Sequence, residues 1–97
     1  EDAAAWVAFG AAASTRPWLA DPYWEALQIM RTWVEGVLAD VRKAGRMRAD
    51  LSPAEGARLV TALVNGLALD LLNAPPTESD EVIGQLRSGL GLILRGL

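Results

Sequence analysis

The residues able to do chemistry in this chain are few, and their spacing argues against catalysis. Histidine and cysteine are both absent, which removes imidazole bases, thiolate nucleophiles, disulfides and thiolate zinc sites together. Lys43 is the sole lysine and stands beside Arg42 on a face that reads as wet. No two carboxylates lie three or four residues apart on an apolar helix face, as a di-metal bundle requires. No glycine-rich strand–loop–helix stretch offers a phosphate cradle. The chain is therefore expected to be no enzyme and to need neither cofactor nor metal.

What remains is a small polar set in an apolar background. Asp70 projects on the same face as Leu59, Leu63 and Leu67. It is either satisfied by water or an arginine such as Arg87 or Arg95, or it is the polar anchor in the wall of an apolar ligand cavity. Asn65 lies on another side, in line with Arg58, Thr61 and Leu72. There it either bonds across a helix–helix contact or is solvated. Trp6, Trp18, Trp24 and Trp33, with Phe9 and Tyr23, either line a pocket or are plain core. Arg42, Lys43, Arg46 and Arg48 cluster where a helix ends, and cations there favour the dipole without any need for a phosphate.

The elements that must position these residues read as four helices, all-α, antiparallel and bundle-like, at about 2–14, 22–44, 53–73 and 80–95. Trp6, Phe9 and Ala13 share a face of the first, and Ser14-Thr15-Arg16-Pro17 breaks it. Asp21 and Pro22 have the form of an N-cap with proline at the first helical position. The helix they open ends at Gly45, a natural left-handed cap. Its core stripe is Tyr23, Leu27, Met30, Val34, Val37, Leu38 and Val41. In the link before it, Trp18 and Leu19 are expected to tuck against a helix. Met47 and Leu51 anchor the loop that follows. Ser52-Pro53-Ala54-Glu55 is a capping box opening the third helix, which Pro75-Pro76 stops. Asp80 and Glu81 suit the N-terminal end of the last helix. Val82, Ile83, Leu86, Leu90, Ile93, Leu94 and Leu97 give that helix its apolar stripe. Across from them, Gly84, Ser88 and Gly91 form a line of small residues, with Gly89 and Gly96 nearby. Each helical glycine costs roughly 1 kcal/mol against alanine, so either the helix frays or another backbone approaches it closely.

The 97 residues make one domain at most, yet 52% are hydrophobic and only 22% charged. The third helix is apolar most of the way round from Leu59 to Leu72 and must be covered on more than one side. Fourteen residues cannot span a bilayer, so the cover is protein. A second copy of the chain is the expected partner, over Thr61, Asn65, Ala68, Leu69 and Leu72 of this helix and Gly84, Ser88, Gly91, Leu92 and Arg95 of the last. The net charge of −3 and its scatter leave no basic stripe for nucleic acid. No signal peptide or membrane-length apolar run is present, and the absence of cysteine fits a reducing, cytoplasmic setting. The chain opens at Glu1-Asp2-Ala3-Ala4-Ala5, already helical in composition, and reads as the interior of a longer protein.

Trp6-Val7-Ala8-Phe9-Gly10-Ala11-Ala12-Ala13, then Pro17, then the long helix with Tyr23, Trp33 and Ala44-Gly45, form a pattern. Gly45-Arg46-Met47-Arg48-Ala49-Asp50-Leu51-Ser52-Pro53 and the run Ala57 to Leu69 continue it. In this pattern the chain resembles the C-terminal regulatory domain of the TetR (tetracycline-repressor-like) family of bacterial transcription regulators, with Asn65 where relatives often have aspartate. The resemblance implies that the last two helices pair with those of a second subunit as a four-helix bundle. It implies a pocket for a small apolar effector enclosed by the first three helices. Here that pocket would draw on Trp6, Phe9, Leu27, Met30, Trp33, Leu63 and Leu67, with Asp70 as its polar group. It also implies an upstream helix-turn-helix domain, absent from this chain, that carries the contact with operator DNA and releases it when effector binds. The alternative is a helical association module with no ligand.

Overall fold

A computed structural model describes residues 2–96, and Leu97 of the expected apolar stripe lies outside them. Four α-helices account for nearly all of the chain. They are α1 (Asp2–Ala13), α2 (Pro17–Lys43), α3 (Pro53–Asn73) and α4 (Ser79–Arg95), with one 3-10 turn, Pro76–Glu78, before the last. No strand occurs among the described residues. The all-α architecture expected from the sequence is the one observed.

Local signals account for most of the helix ends. At the start of α3, Ser52 Oγ accepts from the Glu55 backbone N–H and the Glu55 carboxylate accepts from the Ser52 N–H, both at 3.1 Å. This reciprocal box satisfies two donors that a helix start leaves open. The end of α2 is a Schellman motif: the Gly45 N–H donates to Arg42 O at 2.9 Å and the Arg46 N–H to Val41 O at 3.1 Å. Gly45 holds φ at +72° to make it, a conformation that costs glycine nothing.

The backbone N–H that Glu55 accepts holds its carboxyl below the ordinary carboxylate range, helped by the Ser52 side chain. A carboxyl depressed by folding adds stability above its unfolded pKa and loses it as pH falls through the folded value. Ser52→Ala is therefore expected to cost about 1 kcal/mol near neutral pH. Glu55→Ala removes the titrating group itself, so in urea titrations the gap between it and the parent should narrow as the pH is brought below the carboxylate range.

The start of α2 differs from the expectation. The helix opens at Pro17, five residues before the Asp21–Pro22 signal, and Pro22 lies inside it. Arg16 is extended (φ −125°, ψ 105°) and stands as the N-cap, so Pro17 takes the first helical position. Pro22 then removes one i→i−4 bond near an exposed helix start, a tolerable loss because its fixed φ is already helical. Asp21 is thus a residue of the helix and not its cap. The segment expected to be an irregular link is helical, and Trp18 is 71% exposed, not tucked.

The helices form a flat body, 41 × 36 × 18 Å, about two helices thick. α3 is the shared element: α1, α2 and α4 all pack on it, whereas among the described helices α4 packs on α3 and the 3-10 turn and on neither α1 nor α2. The core is small and sits where α2 meets α3. Leu38, Met47 and Ala57 form its centre, with Val34, Val41, Leu51 and Leu94 packed around them. Close approach there depends on Gly56, whose Cβ, if present, would stand 2.8 Å from a Leu38 methyl. Gly89 plays the same part between α4 and α3, since a Cβ there would meet Leu63 at 2.7 Å.

Much apolar surface stays open. On α2, Trp18, Ile29 (74% exposed) and Trp33 (71%) lie at helical spacing along one outer face. Trp24 is half-exposed, with the Arg31 guanidinium 5.1 Å from its ring centre, a cation–π distance. Val37, expected in the core stripe, is exposed as well. On α4, Ile83 is likewise more exposed than its place in the predicted stripe implied.

Candidate functional site

Trp6, Phe9 and Tyr23 make one aromatic cluster joining α1 to α2. Trp6 stacks on Tyr23 with ring centres 5.0 Å apart, and Phe9 meets both edge-on at 6.0 and 5.3 Å. Such offset-stacked and edge-to-face pairs are the favoured geometries of aromatic rings. Gly10 lets Tyr23 seat closely, because a Cβ at that position would stand 3.2 Å from the ring.

The cluster is tied to α3 by one hydrogen bond: Trp6 Nε1 donates to Asn65 Oδ1 at 2.9 Å across 59 residues of sequence. Beside this bond lies a cavity of about 250 Å3 lined by Trp6, Val7, Gly10, Ala11, Tyr23, Asn65 and Leu69. Its wall is mainly apolar and carries no charged side chain. One amide and one phenol are the polar groups it offers. An apolar space with a few placed polar groups suits small-molecule binding, and none of its groups supplies a nucleophile with a base.

Of the eight residues assigned to the effector pocket only Trp6 borders this cavity, joined by Tyr23 from the wider set of aromatic residues offered as pocket or core. Phe9 contributes at one remove, against the Trp6 ring. Leu27 is buried in the chain's own packing, and Met30 and Leu67 are half-buried outside the cavity wall. Leu63 is occupied against the Gly89 position of α4. Trp33 faces outward with most of its surface open. Asp70 is exposed and pairs with none of the described arginines, so it is no anchor within a cavity wall.

Asn65 and Leu69, assigned from the sequence to a subunit contact, border the cavity, Asn65 half-buried and Leu69 still 48% exposed. Thr61 is only 2% exposed, and its hydroxyl donates to Ala57 O at 2.8 Å in its own helix. Ala68 is half-buried on that same side. A residue already covered inside one chain has no surface left to present to another, so Thr61 is withdrawn from the subunit contact. The outward side of α3 carries Leu59, Ala62, Gly66 and Asp70, all exposed. Leu72, also assigned to the contact, does remain exposed.

The α4 residues assigned to that contact keep open surface. Gly84, Ser88, Leu92 and Arg95 are exposed and Gly91 is half-buried. At Gly84 nothing lies within 4 Å of where a Cβ would stand, and at Gly91 only the tip of Arg95 does. The same holds for Gly66 on α3, where the space is empty. Gly66 and the outer side of α3, open in the single chain, were not among the residues assigned from the sequence to the subunit contact. The signal available was the spacing of Gly56, Ala57 and Thr61, small residues that mark the inward side.

The arginine cluster is structural, as expected from its place at a helix end. Arg42 Nη2 donates to Ala49 O at 2.9 Å, and Arg48 makes a two-pronged pair with Asp50 at 2.6 and 2.7 Å. That pair holds the Asp50 carboxyl below its ordinary range through the hydrogen bonds from Arg48. A wide depression of about 410 Å3 lies over Gly45, Arg46, Met47, Arg48 and Arg95. It is larger than the Trp6 cavity but half polar, and it rests on a loop whose Arg48 is already paired.

No group of side chains able to hold a metal ion occurs among the described residues, and no described helix is long and apolar enough to cross a membrane. No curated protein and no solved structure matches the chain. The sequence does match, over residues 1–95, the family described as BetI-type transcriptional repressor, C-terminal. That agrees with the TetR-like resemblance and names a class of regulators, not of enzymes. The chain belongs to the C-terminal domain family of the BetI-type transcriptional repressors.

Proposed function

We propose that this domain is the effector-sensing and dimerising part of a cytoplasmic transcriptional repressor, and that a small apolar molecule bound beside Trp6 releases the operator. One observation carries the reading: α3 serves two surfaces at once. Its inner side supplies Asn65 and Leu69 to the cavity. Its outer side, Leu59, Ala62 and Gly66, is open beside the equally open Gly84, Ser88 and Leu92 of α4. A molecule wedged between α1 and α3 thus acts on the same rigid element that a second subunit would cover. DNA is contacted through a helix-turn-helix domain upstream of these residues.

The exposed area supports the second subunit. The chain exposes 6679 Å2, whereas a compact monomer of its mass exposes about 5,400 Å2. The excess is on the order of one partner's share of a stable interface. Operator release then follows by linkage, since an effector shifts the separation of paired subunits only by its differential affinity for the two arrangements.

The test is reciprocal linkage. Sedimentation of the purified chain should show a dimer at micromolar concentration, and an apolar compound that perturbs Trp6 should shift the association constant about 5- to 150-fold. A monomer at high micromolar concentration under both conditions removes the reading. A dimer that binds no compound leaves the association module without a ligand, which the open faces of α2, α3 and α4 would also support.

A further inference from the structure

The Trp6–Asn65 hydrogen bond fixes more than the distance between α1 and α3. An indole N–H can only donate. The Asn65 oxygen must therefore face Trp6, where it accepts at 2.9 Å. The same planar amide then has its Nδ2 edge left over, and Nδ2 makes no hydrogen bond to a described residue. Asn65 is half-buried and borders the cavity. The polar contact the amide has to offer an occupant is thus a pair of N–H donors. Tyr23 adds a hydroxyl, which can donate or accept and so does not discriminate.

Charge and size narrow the occupant further. No cation lines the cavity to neutralise a carboxylate, and no anion lines it to hold an ammonium. Seating a carboxylate against these mainly apolar walls without a cationic partner is unfavourable. A dry apolar cavity of about 150 Å3 takes benzene, so about 250 Å3 takes a molecule of roughly ten non-hydrogen atoms.

We infer that the cavity selects a small, mainly apolar molecule bearing one hydrogen-bond acceptor and no carboxylate, which Asn65 Nδ2 engages while Asn65 Oδ1 stays bound to Trp6. This rests on the effector reading above and adds the chemical class to it. The selection works through cost as well as gain. An occupant without an acceptor covers the amide N–H and leaves it unpaired, a loss comparable to the hydrogen bond itself.

Four compounds of equal size and shape separate the possibilities: acetophenone, cumene, benzoate and benzamidinium. They carry, in that order, a neutral acceptor, no polar group, an anionic acceptor and a cationic donor. Binding is read from the Trp6 indole N–H resonance during titration of the intact chain. Acetophenone is expected to bind tighter than cumene and benzoate by about tenfold or more. Asn65→Asp keeps an oxygen for the Trp6 N–H and removes the donors. It should weaken acetophenone by about tenfold and improve benzamidinium, with the Trp6 resonance still hydrogen-bonded. Equal binding of acetophenone and cumene to the parent chain, which needs no variant, overturns the inference and leaves an effector cavity standing. So does benzoate binding tightest, or acetophenone binding unchanged in Asn65→Asp. If none of the four moves the Trp6 resonance, the cavity reading itself falls with it.

Discussion

Leu38→Ala is expected to destabilise the chain by about 3 kcal/mol, within the range for deleting a buried leucine. Leu38 is 4% exposed at the centre of a core with few other buried side chains. A chain of this size has only several kcal/mol of net stability to lose. The loss should read as a large fall in the urea midpoint followed by helix circular dichroism. The partner substitution makes the claim specific. Gly56→Ala alone adds a methyl 2.8 Å from a Leu38 methyl, closer than carbon atoms tolerate, so it should destabilise despite alanine's better helix propensity. In the Leu38→Ala background that obstruction is gone. There Gly56→Ala should instead stabilise by up to about 1 kcal/mol. A change of sign between the two backgrounds is the signature of direct contact. The same sign in both would mean that α2 and α3 do not meet at this point.

The second large effect concerns association. Gly84 sits inside α4 with open space where a side chain would stand. Within one subunit, Gly84→Leu should therefore stabilise the helix by about 1 kcal/mol. At a symmetric contact between two α4 helices the same substitution intrudes twice, at about 1–3 kcal/mol for each added side chain. Dimerisation should weaken by about 30-fold or more while the thermal stability of the separated subunit holds or rises. Sedimentation and thermal unfolding, run on one sample, read the two effects independently. If Gly84→Leu dimerises as tightly as its parent, the open line on α4 is a solvent face.

The residues behind these two predictions differ in how visible they were in the sequence. The box at Ser52–Glu55 and the cap at Gly45 are local devices, set by residues within four positions of one another. They could be read directly. The start of α2 could not, because Arg16-Pro17 and Asp21-Pro22 are two acceptable openings for one helix. The extended backbone at Arg16 decides between them, and nothing in residue preference does. The orientation of α3 was harder still. A helix apolar all round has no azimuth in its periodicity, so Thr61 and Asn65 looked like an outer polar line. They face inward because Gly56 and Ala57 allow α2 to come close, and because each finds a partner there, Thr61 in its own helix and Asn65 at Trp6. The cavity was legible as a class of space and in Trp6, with Tyr23 among the aromatic residues offered for it. Its far wall was not, since it depends on that rotation of α3.

The loop after α2 also has a reach that its sequence hides. The Arg48 N–H donates to Leu94 O at 2.7 Å, so the final turn of the last helix is closed by a residue from the middle of the chain. Terminal turns ordinarily unwind alone. This one is latched to the segment 45–50 and is held by the same Arg48 that pairs with Asp50. Amide exchange at Arg48 and in the closing turn of α4 should therefore rise and fall together, as one cooperative unit joining the middle of the chain to its last helix.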